Sequence, residues 1–115
     1  MSDLYPVVVE KALDIMNREY QNQDLTLDTI SKSVFVNKYH LCRIFKKTMG
    51  ITIHEYLFIK RISYFKIFAT QNPQEPLSLL LQKSGFVSYR SLSHYLKTHY
   101  QTTVTDFITN EISIR

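Results

Sequence analysis

Apolar positions recur three and four residues apart along most of this chain, which is the spacing of helices with one buried face rather than of strands. Val9, Ala12, Leu13, Met16 and Tyr20 form the first such series, and Pro6 suits an opening helical position, so the pattern predicts a helix from about Val7 to Tyr20. Its other face carries Glu10, Lys11, Asp14 and Arg18. Thr26 offers an N-cap oxygen for a short helix, Leu27 to Ser33, with Asp28 in the first turn where it complements the helix dipole. Asn37 caps a third helix, Lys38 to Met49, and Gly50 ends it, because glycine enters the left-handed conformation cheaply.

The segment Thr52-Ile53-His54-Glu55 reads as a capping box, with Ile51 and Tyr56 placed for a hydrophobic staple around it. A fourth helix continues through Leu57, Ile59, Ile62, Phe65 and Phe68 to about Thr70, where Asn72-Pro73 closes it. Apolar residues lie on more than one of its sides, so it is expected to pack against both halves of the protein.

The second half repeats the first. At an offset of 50, Leu27, Ile30 and Val36 fall on Leu77, Leu80 and Phe86; at 51, Leu41, Phe45, Lys46 and Tyr56 fall on Leu92, Leu96, Lys97 and Phe107. The slip of one residue lies between helices, where a turn absorbs it. Each half is then a short helix, a tight turn, a longer helix and a closing helix, the helix-turn-helix plan. The expected fold is all-α, about seven helices in two helix-turn-helix subdomains joined by a long linker helix. Its divisions are an N-terminal subdomain over 1–51, the linker over 52–71 and a C-terminal subdomain over 72–115.

The longer helix of each half can be laid around a wheel at about 100° per residue. Leu41, Ile44, Phe45 and Thr48 gather on one side, as do Leu92, Tyr95, Leu96 and His99 in the second copy, and these sides are expected to face the core. The opposite side carries Lys38, Tyr39, Cys42, Arg43, Lys46 and Lys47 in the first copy. In the second it carries Tyr89, Arg90, Ser93, His94, Lys97 and Thr98. Neither face bears an acid. Cations interleaved with aromatic, thiol and hydroxyl groups suit the major groove, which admits a helix and presents base acceptors and thymine methyls. Arg43 and Arg90 are suited to a two-bond grip on a guanine edge, Tyr39 and Cys42 to apolar contact, and Lys46, Lys47 and Lys97 to phosphates. The candidate DNA contacts are thus Asn37, Lys38, Tyr39, Cys42, Arg43, Lys46 and Lys47 in the first half, and Ser88, Tyr89, Arg90, Ser93, His94 and Lys97 in the second.

Charge strengthens this picture through its distribution. The net charge of the 115 residues is +4. Residues 1–35 are net −3, whereas residues 36–66 hold seven basic side chains against Glu55 alone and are net +6. Such a positive middle suits a polyanion, since each neutralised phosphate releases condensed counterions. The 2 glycines and 3 prolines are too few for a strand-and-turn protein. The longest apolar runs, Val7 to Val9 and Leu79 to Leu81, fall far short of a membrane span, and the start Met1-Ser2-Asp3-Leu4 has no leader pattern, so a cytoplasmic protein is expected. Cys42 is the 1 cysteine, which excludes an internal disulfide and a thiolate metal site built from one chain.

These residues resemble the AraC/XylS family of bacterial transcription regulators. The stretch Leu27 to Gly50, with Asn37-Lys38-Tyr39-His40-Leu41-Cys42-Arg43-Ile44-Phe45-Lys46-Lys47 inside it, is similar to the family's first helix-turn-helix. Arg61 matches the linker helix's usual arginine and Gly85-Phe86 the start of the second turn; the likeness runs from about Ile15 to Phe107. It implies recognition helices at Lys38 to Thr48 and Tyr89 to His99 entering adjacent major grooves. A linker helix of about 18 residues, roughly 27 Å, is a plausible spacer for them. It implies double-stranded DNA as the partner, RNA polymerase as a further one, no membrane, a monomeric DNA-binding unit, and no cofactor. Several positions depart from the family pattern. Ser31 stands for alanine, Phe35 for the turn glycine, Leu81 and Ser84 for alanine and valine, Gln101 for glycine, Val104 for proline and Ile108 for a basic residue. Ser31 and Phe35 are expected to require some local repacking.

An enzyme is the competing class to weigh, because His40, His54, His94 and His99 are potential bases or ligands. None is accompanied by an acid or nucleophile at a recognisable spacing, and a non-enzymatic, metal-free protein is expected. A second competitor is a protein-interaction module whose second helix-turn-helix docks RNA polymerase or a partner regulator. Whether the chain is a whole small regulator or the C-terminal part of a larger one, its operator, and the sign of its control stay open at the level of sequence.

Overall fold

A computed structural model describes residues 4–112, with side chains from 6 to 110. The outer ends of the expected first and last divisions, 1–3 and 113–115, lie outside the described residues. Among the described residues there are seven helices and no strand. The chain forms two compact units that meet between Lys60 and Arg61, inside the fourth helix.

In the first unit α1 (Leu4–Glu19) begins three residues earlier than the apolar pattern suggests. Pro6 therefore sits inside the first turn, where a missing amide still breaks no intrahelical bond. α2 (Leu27–Ser33) starts on Thr26, whose hydroxyl accepts from the Thr29 amide while the Thr29 hydroxyl accepts from the Thr26 amide. α3 (Lys38–Met49) and α4 (Ile53–Gln71) follow. The capping box read from Thr52 and Glu55 is present, with reciprocal bonds of 3.0 Å. α1 packs on α2 and α3, around a core of Val9, Ala12, Met16, Leu25, Ile30, Val34, Leu41, Ile44 and Phe45. Ile53 and Leu57 bring the start of α4 into the same core. Phe45 is wholly buried and meets the Tyr56 ring edge-on at 6.0 Å, and the Tyr56 hydroxyl donates to Asn17 Oδ1 at 2.7 Å. Burying a phenylalanine of this kind stabilises by about 1.5–3 kcal/mol.

The second unit contains α5 (Leu77–Ser84), α6 (Tyr89–Tyr100) and α7 (Val104–Ile112), with α6 packed on α7. Its buried apolar side chains include Ile62, Phe65 and Ala69 of α4, then Leu80, Leu81, Phe86, Leu92, Leu96 and Val104. Arg61 is partly buried, and desolvation holds its guanidinium below the ordinary pKa. The repeat is carried by burial and by caps. Leu41 and Leu92 are buried, as are Phe45 and Leu96, and Ile53 and Val104. Asn37 and Ser88 both cap the longer helix, and Thr52 and Thr103 both cap the next one. The one-residue slip is taken up by Val87, which projects into solvent from the second turn.

Two positions in each unit bend the chain through the left-handed region, and the two units place their glycines differently. At the turn before the longer helix the first unit has Phe35 (φ 59°) and the second Gly85 (φ 97°); at that helix's end the first has Gly50 (φ 82°) and the second Gln101 (φ 49°). A side chain in this region costs roughly 1–2 kcal/mol, so each unit carries one strained reversal and one relaxed one. The Phe35 ring is 92% exposed, so this substitution loads the backbone rather than the core.

The other departures are absorbed locally. Ser31 and Ser84 are buried, and each hydroxyl donates to a carbonyl of its own helix, Asp28 O at 2.9 Å and Leu80 O at 2.7 Å, so neither is left unpaired. Leu81 and Ser84 lie one turn apart on α5 and both are buried. Two wheel expectations are corrected: Thr48 and His99 are exposed, not core. A wheel records angle but not height, and both stand in the last turn of their helix, beyond the buried Phe45 and Leu96. Tyr95, expected in the core, is half-buried and its ring lies tilted against His99 with centroids 4.3 Å apart.

Gly50 has nothing within 4 Å of the position a Cβ would take, so the effect of a substitution there isolates backbone conformation. Gly50→Ala is expected to destabilise by about 1–2 kcal/mol and Gly50→Asn by less, since asparagine tolerates the left-handed region, as read from urea unfolding midpoints.

Candidate nucleic-acid interface

The orientation of α3 follows from its buried side. With Leu41, Ile44 and Phe45 in the core, Lys38, Tyr39, Arg43, Lys46 and Lys47 are exposed. Asn37 is exposed too, but its side-chain oxygen is occupied: it accepts from the amides of Tyr39 at 2.9 Å and His40 at 3.4 Å. Its NH2 group carries whatever contact it makes beyond the cap. The Lys38 ammonium lies 5.5 Å from the centre of the Tyr39 ring, a cation–π pair that holds charge and aromatic surface together at the start of the helix. Tyr39 is 67% exposed, which marks it as surface rather than core aromatic.

Arg43 projects from the middle of the helix, and its Nη2 approaches His40 Nδ1 at 3.2 Å. Since guanidinium nitrogens only donate, that contact is a hydrogen bond when His40 Nδ1 is the bare nitrogen. His40 thus steadies Arg43 from one turn back. The sequence reading did not single out this pairing, although the three-residue spacing placed the two side chains on one face. Lys46 donates to the Gly50 carbonyl at 3.2 Å, tying it to the carbonyl end of its own helix. Cys42 is half-buried rather than fully outward, so it lies at the flank of the exposed face.

On α6 the expected contacts Tyr89, Arg90, His94 and Lys97 are all exposed, after a cap formed by the Ser88 hydroxyl accepting from the Ser91 amide at 3.1 Å. Ser93 is half-buried, matching Cys42 at an offset of 51. The two faces differ in charge. By the same offset Lys38 becomes Tyr89, Arg43 becomes His94 and Lys47 becomes Thr98, while Tyr39 becomes Arg90. Ser93 and Lys97 also line an open cleft of about 570 Å³ together with Asp106 from the first turn of α7, so an acid borders the second face. In the first unit, Asp14 pairs with Arg18 at 3.7 Å and Asp28 with Lys32 at 3.1 Å. These exposed pairs contribute little stability but keep both acids occupied within α1 and α2.

The structure brings the expected residues of each half together on one helix face, with Asn37 and Ser88 as caps and Cys42 and Ser93 at the flank. Exposed side chains that the wheel omitted stand in the turns: Phe35 before α3 and Val87 before α6. Phe35 was legible in the sequence only as a departure from glycine. Among the described residues, no three His, Cys, Asp or Glu side chains gather as metal ligands would, and no helix is long and apolar enough to cross a membrane.

Residues 30–110 match the helix-turn-helix domain family. The chain is 30% identical over 104 residues to "Probable transcription factor PqrA" of Proteus vulgaris, covering 90% of this chain and 84% of that protein. It is 27% identical over 95 residues to "Probable transcriptional regulator LumQ" of Photobacterium leiognathi, of whose length it spans 38%. In fold it is similar to the C-terminal domain of AraT, a response regulator from Geobacillus stearothermophilus, with a TM-score of 0.73, 18% identity, and coverage of 94% of this chain and 85% of that one. With seven helices in two units, each presenting a one-sided cation-bearing helix, and with these likenesses, the chain belongs to the AraC/XylS family of helix-turn-helix, DNA-binding transcription regulators.

Proposed function

We propose that α3 and α6 are the two recognition helices and that they read adjacent major-groove segments of one operator. The observation that carries this reading is the matched pair of helices, each locked by buried residues on one side and free of acids along its whole length. Arg43, Tyr39 and Cys42 read base edges in the first segment, with Lys38, Lys46 and Lys47 on phosphates and Asn37 at the entry of the helix. Arg90, His94 and Ser93 read the second, with Ser88 and Tyr89 at the helix start and Lys97 on phosphate. The first head supplies most of the electrostatic attraction, because its outward face carries more cations than that of the second. Residues 1–51 and 72–115 then serve as the two reading heads and 52–71 as the linker between them.

The unit acts as a monomer in the cytoplasm, since one chain carries both heads, and it affects transcription through RNA polymerase recruited or obstructed at the site. It performs no catalysis. Sites selected from random DNA are expected to be bipartite, with centres about one helical turn, 10 base pairs, apart. A single short uninterrupted site would contradict two-headed reading. Intact DNA recognition with transcription abolished by changes at Arg90 and His94 would favour the protein-docking alternative for the second half.

Arg43→Ala is expected to weaken binding to the selected site by roughly 1–3 kcal/mol and to relax preference at one base pair. Lys47→Ala should instead weaken selected and random DNA alike and reduce the slope of log K against log salt by about 1. Equal losses on both DNAs from both variants, measured by fluorescence anisotropy over a salt series, would refute that division of labour. Asn37→Asp separates cap from contact. Aspartate caps as well as asparagine, so the melting temperature should hold, while a negative charge at the groove should lower affinity several-fold.

A further inference from the structure

Phe35 combines two features that a protein has no folding reason to keep together. Its backbone is in the left-handed region at φ 59°, where a ring-bearing residue is strained, and its ring is 92% exposed, so no packing offsets that strain. The corresponding position in the second unit is Gly85, which adopts the same kind of conformation without strain. The turn therefore requires a left-handed residue but not a phenylalanine.

What surrounds the ring indicates its use. Phe35 stands two residues before the Asn37 cap, at the end of α3 that a recognition helix brings to the bases. It lines an open cleft of about 480 Å³ with Lys32, Asn37, Lys38 and Tyr39. The acid on that cleft, Asp28, is paired with Lys32 at 3.1 Å, and Lys38 lies over the Tyr39 ring, so the ring is set among cations and aromatic surface rather than against a free carboxylate. We propose that Phe35 is an additional DNA-contacting residue, whose ring makes an apolar contact with the duplex beside the segment read by α3. The apolar surfaces a duplex offers there are thymine 5-methyl groups and deoxyribose edges. This inference rests on α3 being a recognition helix.

The test uses the chain with DNA sites selected from a random pool, and the variants Phe35→Gly and Phe35→Tyr. Glycine relieves the strain, so Phe35→Gly should melt no lower than the parent while its affinity for the selected site falls roughly three- to tenfold. Phe35→Tyr keeps the ring and should retain the affinity. Replacing thymines by deoxyuridine one at a time distinguishes the two surfaces. A position where methyl loss weakens the parent but not Phe35→Gly identifies a thymine contact, and weakening by Phe35→Gly with no such position identifies the sugar edge. Unchanged affinity in Phe35→Gly overturns the proposal, and so does an affinity loss accompanied by a matching fall in melting temperature. Full DNA affinity with lost reporter transcription overturns it in favour of a protein contact. Arg43→Ala on the same DNA is the control for the underlying reading: if it too binds as the parent does, α3 is not the reading helix, whatever Phe35 does.

Discussion

The direction in which α3 presents its cations is decided by burial, not by charge. Leu41, Ile44 and Phe45 enter the core together, and a helix can only turn as a whole, so anchoring those three fixes the side from which Arg43 and Lys47 project. Phe45 is held in turn by Tyr56, and Tyr56 by Asn17, which links the orientation of the proposed reading face to α1 and α4. The second unit repeats the device with Leu92 and Leu96 under α6. Burial contributions of this kind, about 1.5–3 kcal/mol per side chain, exceed those of the weak surface ion pairs of α1 and α2. DNA recognition of the proposed kind depends on this rigidity, because a bidentate contact tolerates little rotation of the helix.

Starting the longer helix and the one after it is a separate problem, and both units meet it with the same chemistry. Asn37, Ser88, Thr52 and Thr103 each satisfy amides that the helix cannot satisfy itself. Asn37 and Ser88 therefore have a structural duty at the very positions that a DNA-facing helix brings closest to the duplex. A substitution there that destroys the cap would therefore confound loss of helix start with loss of any DNA contact, whereas one that keeps the cap does not.

The two units solve the same turns with their glycines exchanged, and they differ in charge as well. Where the first unit has Phe35 and the second Gly85, the backbone follows the same left-handed path, so the turn is imposed by the helices on either side rather than by residue preference. On the outward faces, Arg43 gives way to His94 and Lys47 to Thr98, and Asp106 borders the second face. As proposed reading heads the two are unequal, one strongly cationic and one more mixed, and in the second hydrogen bonding would carry more of the discrimination than attraction to phosphate.

The helices, the caps at Thr26 and Asn37 and the capping box at Thr52 were determined by the sequence, because each depends on residues within about four positions of one another, where periodicity and capping chemistry are local; the repeat was legible as that local pattern recurring. The buried anchors Leu41 and Phe45 and the cation face opposite them were legible for the same reason. Tertiary structure alone decided how far each helix is covered along its length, which is why Thr48 and His99 emerged exposed and Cys42 and Ser93 moved to the flank. It also decided that Phe35 would keep a glycine's backbone and turn its ring to solvent, and that Asp106 would border the second face, since these outcomes depend on which neighbouring helix occupies the space beside a residue.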